Sequence, residues 1–160
     1  MPEFKHKDLT NKIICCFYNV YNKLGYGFLE KVYENALLIE LESLGLATSA
    51  QHPIEVAYSG QIVGQYFADI LVENKVIIEI KATRSTLPEH ESQLLNYLKA
   101  TSIEVGLLLN FGPEPKVIRK VLSLPNNPDV KSAMTQDINN PMNSAKIKQT
   151  NPSPGRLDTD

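Results

Sequence analysis

Residues 68–82, ADILVENKVIIEIKA, set two apolar runs around a polar break, the pattern of a buried β-hairpin. Asp69, Glu79 and Lys81 interrupt those runs where a core strand would carry Val or Ile. Side chains alternate faces along a strand, so Glu79 and Lys81 share a face. The direction of Asp69 depends on the turn. A two-residue turn at Asn74-Lys75 pairs Glu73 with Val76 and sets Asp69 opposite Ile80, facing away from Glu79. A three-residue turn at Glu73-Asn74-Lys75 pairs Val72 with Val76 and sets Asp69 opposite Glu79. A slip of one residue moves every side chain to the other face. The odd-length turn is the one expected, because it collects three ionisable groups at one spot instead of burying separate unpaired charges.

Two carboxylates on adjacent strands lie roughly 5 Å apart at the backbone and repel when both are ionised. A divalent cation between them converts repulsion into binding. Hard oxygen ligands suit Mg²⁺ or Mn²⁺, and Mg²⁺ commonly takes one or two carboxylates and completes its shell with water and phosphate oxygens. A lysine beside such an ion can orient an attacking water or neutralise charge growing on phosphorus. The same three residues could equally form a satisfied ion-pair network at a sheet edge, and the D-x9-E-x-K spacing does not separate the two readings.

The flanking sequence sets the fold. Leu9, Ile13, Phe17, Val20 and Leu24 recur at helical spacing, and Gly25 stops that helix. A second helix follows Gly27, with Leu29, Val32, Ala36, Leu37, Leu41 and Leu44 as its expected apolar stripe and Gly45 as its end. Strands are expected at 46–58 and 61–72 around a Ser59-Gly60 turn, and at 76–82. Pro88 suits the first turn of a helix running to about Ala100. VGLLLNF (105–111) reads as a strand buried on both faces. KVIRKVL (116–122) reads as a strand or a short helix. The order α-α-β-β-β-α-β, closed by this last element, predicts an α/β sandwich of the α+β type, a mixed central sheet with helices packed on its faces.

Composition bounds the function. A chain of 160 residues, 42% hydrophobic, supports one folded domain, expected at 5–124. Residues 125–160 are rich in Pro, Asn, Ser and Asp and are expected to be a disordered tail. Its charges balance, so it is no basic nucleic-acid arm. The net charge of −2 argues against a tight, non-specific DNA binder but leaves room for a local positive groove. No run of 18 apolar residues or signal-like N-terminus occurs, which predicts a protein that does not enter a membrane. Cys15 and Cys16 are neighbours, unsuited to bridge each other, and read as small packing residues in a reducing, cytoplasmic setting. His6, His52 and His90 show no ligand spacing. His6 and His52 read as surface residues, and His90 and Arg84 as loop residues near the hairpin charges.

More than the hairpin is patterned. Asp69 with Glu79-Ile80-Lys81 resembles the signature of the PD-(D/E)XK nuclease superfamily. Gly27-Phe28-Leu29-Glu30-Lys31-Val32-Tyr33 resembles the motif that names its GxxExxY branch. Gln93-Leu94-Leu95-Asn96-Tyr97 resembles the Q-x-x-x-Y motif on the helix after the catalytic strand, and LLLNFG (107–112) the branch's last core strand. Ala68 stands where the superfamily name has proline. The resemblance covers about residues 9–122 and implies a restriction-endonuclease-like core. It makes Asp69 and Glu79 metal ligands, with the Ile80 carbonyl as a further ligand and Glu30 approaching from the helix, directly or through water. It makes Lys81 the partner of the attacking water, and Gln93 and Tyr97, with Tyr33, the groups that border the site and orient substrate.

The residues themselves weigh on these roles. Glu30, Tyr33, Glu34 and Leu37 share one side of their helix, and Gln93 and Tyr97 are one turn apart. Without the motif, Glu30 reads as a helix-start carboxylate favoured by the dipole. Tyr33 reads as a packing residue with its hydroxyl tied to a neighbour. The expected activity is hydrolysis of a phosphodiester in nucleic acid, DNA ahead of RNA, with Mg²⁺ or Mn²⁺. The competing reading is a nuclease-fold module of weak or lost catalysis that binds nucleic acid or a protein partner. A homodimer would serve either. A third reading, a structural ion-pair cluster, predicts that Asp69 and Glu79 each find a cationic partner.

Overall fold

A computed structural model describes residues 5–123. The expected tail at 125–160 lies outside the described residues. Eight elements follow in the order α1 (Lys7–Leu24), α2 (Glu30–Ser43), β1 (Thr48–Tyr58), β2 (Gln61–Val72), β3 (Val76–Lys81), α3 (Pro88–Ala100), β4 (Val105–Phe111) and β5 (Pro115–Val121). The element left open between strand and helix is the strand β5. The five strands form one sheet in the order β1-β2-β3-β4-β5. The β2–β3 and β4–β5 pairs are antiparallel, while β3–β4 is parallel, with α3 in the crossover between them. The outer part of the β1–β2 hairpin, residues 55–65, groups into a second compact unit. It turns at Ser59 and Gly60, both at positive φ as a tight hairpin turn requires.

In the main unit the sheet is covered on both faces. Ile13, Phe17 and Val20 of α1 and Tyr33, Leu37 and Leu41 of α2 pack against Ile70, Val72, Ile78, Ile80, Leu107 and Leu109. Leu94, Tyr97 and Leu98 of α3 pack against Leu71, Ile77 and Leu108 on the other face. Every residue of β4 is buried, as its continuous apolar run implies. Burying a side chain the size of Phe17 or Leu37 contributes about 1.5–3 kcal/mol.

Two expectations are corrected here. The buried face of α2 is Tyr33, Glu34, Leu37 and Leu41, whereas Leu29 and Leu44 are 81% and 54% exposed. Those two leucines are the cap residues, outside the helical turns, and Val32 is also exposed. Tyr33 sets the rotation of the helix. Its ring stacks on Phe111 at 4.2 Å, and its hydroxyl donates to the Gly25 carbonyl at 2.7 Å. Gly25, at φ 68°, ends α1 and starts the turn that this bond closes. Of the two cysteines, Cys16 packs in the core while Cys15 is exposed.

Candidate functional site

The hairpin register is the odd-length one. Val72 pairs with Val76, Leu71 with Ile77 and Ile70 with Ile78, around a turn at Glu73, Asn74 and Lys75. Glu73 and Asn74 take positive φ (54° and 52°), which lets three residues reverse the chain. The ladder stops at Ile70↔Ile78, and Asp69 and Glu79 come next. There the side chains take over. The Ile80 N–H donates to Asp69 Oδ2 at 2.7 Å, and the Asp69 N–H donates to Glu79 Oε1 at 3.2 Å. Each strand's backbone is satisfied by the other strand's carboxylate.

The strand is irregular at this point. Ile70 and Val72 pack on the α1–α2 face, but Ala68 packs on the α3 face with Leu71. Strict alternation would put Ala68 with Ile70 and Val72. The break falls at Asp69.

The electrostatics are those of crowded carboxylates. Burial pushes the Glu79 carboxyl up to about 8, and the neighbouring Asp69 charge adds to the shift, against the Asp69 N–H bond and the Lys81 charge. Burial also raises Asp69; the Ile80 N–H and Gln51 bonds oppose the rise, and the Glu34 and Glu30 charges add to it. Among the described residues neither carboxylate lies in an ion pair. The structural ion-pair reading, which required a cationic partner for each, is not met.

Lys81, half-buried at the end of β3, is the cation whose field reaches Glu79. From α3, Gln93 Nε2 donates to the Tyr97 hydroxyl at 3.0 Å. Burial raises the Tyr97 hydroxyl, with Glu79 as the next cause, so this pair borders the carboxylates. The Tyr66 ring lies 5.9 Å from that of Tyr97. One expected residue is placed differently. Tyr33 is wholly buried, its hydroxyl bonded to the Gly25 carbonyl and the Phe28 N–H, so it braces the α1–α2 turn and cannot meet substrate. Glu30, exposed at the first position of α2, lies near enough for its charge to add to the rise of both Asp69 and Glu79. His90 is engaged in the start of α3, where its Nδ1 accepts the Leu87 N–H at 3.2 Å.

Two site residues escaped the sequence reading. Glu34, one turn beyond Glu30, is 4% exposed and ion-paired to Lys31 at 3.1 Å. Gln51 of β1 donates from Nε2 to both Glu34 oxygens and to Asp69 Oδ1. The signal for Glu34 was a carboxylate on the Tyr33–Leu37–Leu41 face of the helix; Gln51 left none. A third residue holds the chain beyond Lys81. Asn110, buried and paired in register with Lys81, accepts the Thr83 N–H and donates to the Thr83 carbonyl, both at 3.0 Å. Thr83 sits so close that a Cβ on Gly112 would meet its carbonyl oxygen at 2.3 Å.

The donor set suits a hard divalent cation. Glu79 Oε1 accepts the Asp69 N–H, which leaves the second carboxylate oxygen for another partner. The Ile80 backbone lies against Asp69 through its N–H. Among the described residues no three His, Cys, Asp or Glu side chains converge to cage a metal. Two carboxylates fit a hard divalent cation that keeps most of its water.

Among curated proteins none matches the chain significantly. Among solved structures, the crystal structure of SSO0001 aligns at TM-score 0.50 and 19% identity, covering 90% of this chain and 74% of its own, a likeness of fold. An alkaline exonuclease from Laribacter hongkongensis aligns at TM-score 0.45 and 11% identity, covering 91% of this chain and 84% of its own. The sequence matches the family described as the PD-(D/E)XK nuclease superfamily over residues 7–121. That span begins with the first residue of α1 and closes with the last of β5, and with the whole fold inside it the chain belongs to the PD-(D/E)XK nuclease superfamily.

Proposed function

We propose that this protein is a Mg²⁺- or Mn²⁺-dependent hydrolase of phosphodiester bonds in nucleic acid, DNA ahead of RNA, of the GxxExxY branch. One observation carries the reading: a buried carboxylate, Glu79, and a half-buried one, Asp69, face each other at the end of an apolar hairpin, with no cation within ion-pair distance among the described residues. Asp69, Glu79 and the Ile80 carbonyl would hold the ion, with Glu30 reaching it through water. A bound divalent cation lowers the pKa of a coordinated water and neutralises charge on a phosphate oxygen. Lys81 orients the attacking water and balances the charge that develops on phosphorus. Gln93, held by Tyr97, orients the scissile phosphate. No helix among the described residues is long and apolar enough to cross a membrane, and the free Cys15 and Cys16 agree with a reducing cytoplasm.

The test is cleavage of single- and double-stranded DNA and of RNA with Mg²⁺ or Mn²⁺. Asp69→Ala and Lys81→Ala are each expected to lose more than the roughly 10–100-fold typical of changes one shell further out. Equal activity in wild type and both variants would overturn the mechanism. Binding of nucleic acid without cleavage by the wild type would make the domain a binding module.

A further inference from the structure

β1 does not run evenly past the site. At Gln51 its backbone enters the left-handed region, φ 49°, which residues with a Cβ rarely adopt. The amide nitrogen of that side chain lies 3.2 and 3.1 Å from the two Glu34 oxygens and 3.4 Å from Asp69 Oδ1. Both partners are carboxylates that accept only, so the amide must present its NH₂ to both. Glu34 is almost fully buried, and a buried carboxylate requires donors. Gln51 and Lys31 supply them. The chain of constraints therefore runs one way. Helix α2 and Lys31 hold Glu34, Glu34 holds the Gln51 amide, and the amide holds Asp69. With Ile80 N–H on Oδ2, both Asp69 oxygens are held, one from β1 and one from β3.

We propose that Gln51, locked by Glu34, is a positioning residue that fixes the Asp69 carboxylate in its cation-binding orientation. The proposal rests on the metal-site reading above and adds to it residues that touch neither the ion nor the substrate. It separates Glu34 from Glu30. Glu34 acts from within the fold through an amide, whereas Glu30 acts from solvent.

The experiment is Mn²⁺ titration of the full chain by calorimetry at a temperature where every variant is folded. Gln51→Ala is expected to weaken Mn²⁺ binding roughly 10-fold or more. Glu34→Ala should weaken it similarly, and the double variant no further, because the two act as one relay. Glu34→Gln keeps an oxygen that accepts from the Gln51 amide and should stay within about threefold of wild type. Gln51→Glu removes the donor and should weaken binding. A merely structural role would lower the unfolding temperature of these variants while leaving Mn²⁺ affinity unchanged. Wild-type affinity in Gln51→Ala, or tighter binding in Gln51→Glu, would overturn the inference alone. Absence of Mn²⁺ binding by the wild type would overturn the metal-site reading and the inference with it.

Discussion

The two halves of the β2–β3 hairpin differ in what satisfies their backbones. Near the turn, three residue pairs from Val72↔Val76 to Ile70↔Ile78 form an ordinary ladder with all six side chains buried. One residue further, two carboxylates accept the backbone N–H groups instead. The apolar half removes surface from water and stabilises the fold. The acidic half crowds charge in a place that burial makes hostile to it, so it costs stability whenever both groups are ionised. The first half holds the second in register, since a slip of one residue would part Asp69 from Glu79.

The widest predicted separation of the halves is in pH. Glu79 has an ordinary value of 4.5 and a folded value of about 8. Between these values the unfolded chain loses the proton while the folded chain keeps it, so folding stability falls as pH rises through that window. The Glu79 contribution is fullest below about pH 4.5, and its loss levels off above about pH 8. The span is at most about 5 kcal/mol, and urea unfolding across this range measures it. Divalent cation should recover much of the loss near pH 8, because it favours the ionised pair. A flat profile, or one rising between these pH values, would place the Glu79 proton wrongly.

A smaller effect is expected from the apolar half. Ile78→Ala removes a wholly buried side chain and should cost about 2–5 kcal/mol in urea unfolding at any pH. Cation affinity of the molecules that remain folded should change little. If it collapsed as well, the halves would not be separable. The smallest effect belongs to the residues misassigned to the core. Leu29→Ser should change stability by no more than about 0.5 kcal/mol, since the side chain is 81% exposed.

These contrasts show what was legible in the sequence. The hairpin was, because two apolar runs mark the strands and side chains alternate along each, so only an odd-length turn brings the charges together. The helices were legible where one apolar stripe fills the buried face, as in α1. In α2 the stripe misled, because counting leucines ignored which of them are caps, and because Tyr33 and Glu34 turn the helix by bonds to distant partners. Asp69, Glu79, Lys81, Gln93 and Tyr97 could be named as candidates from spacing and resemblance, but not how the chain supports them. Gln51 joins the site through a local backbone irregularity, and Asn110 through a strand far along the chain. No periodicity within one segment encodes contacts of either kind.

The central claim is that the open end of the hairpin is assembled around a divalent cation. Anomalous diffraction from crystals soaked in Mn²⁺ near pH 8, where Glu79 begins to ionise, tests it most directly. A peak bonded to Asp69, Glu79 and the Ile80 carbonyl, absent from Asp69→Ala crystals, is the predicted result. Crystals in which Mn²⁺ binds elsewhere, or in which a protonated Glu79 bonds Asp69 undisturbed by the ion, would contradict it.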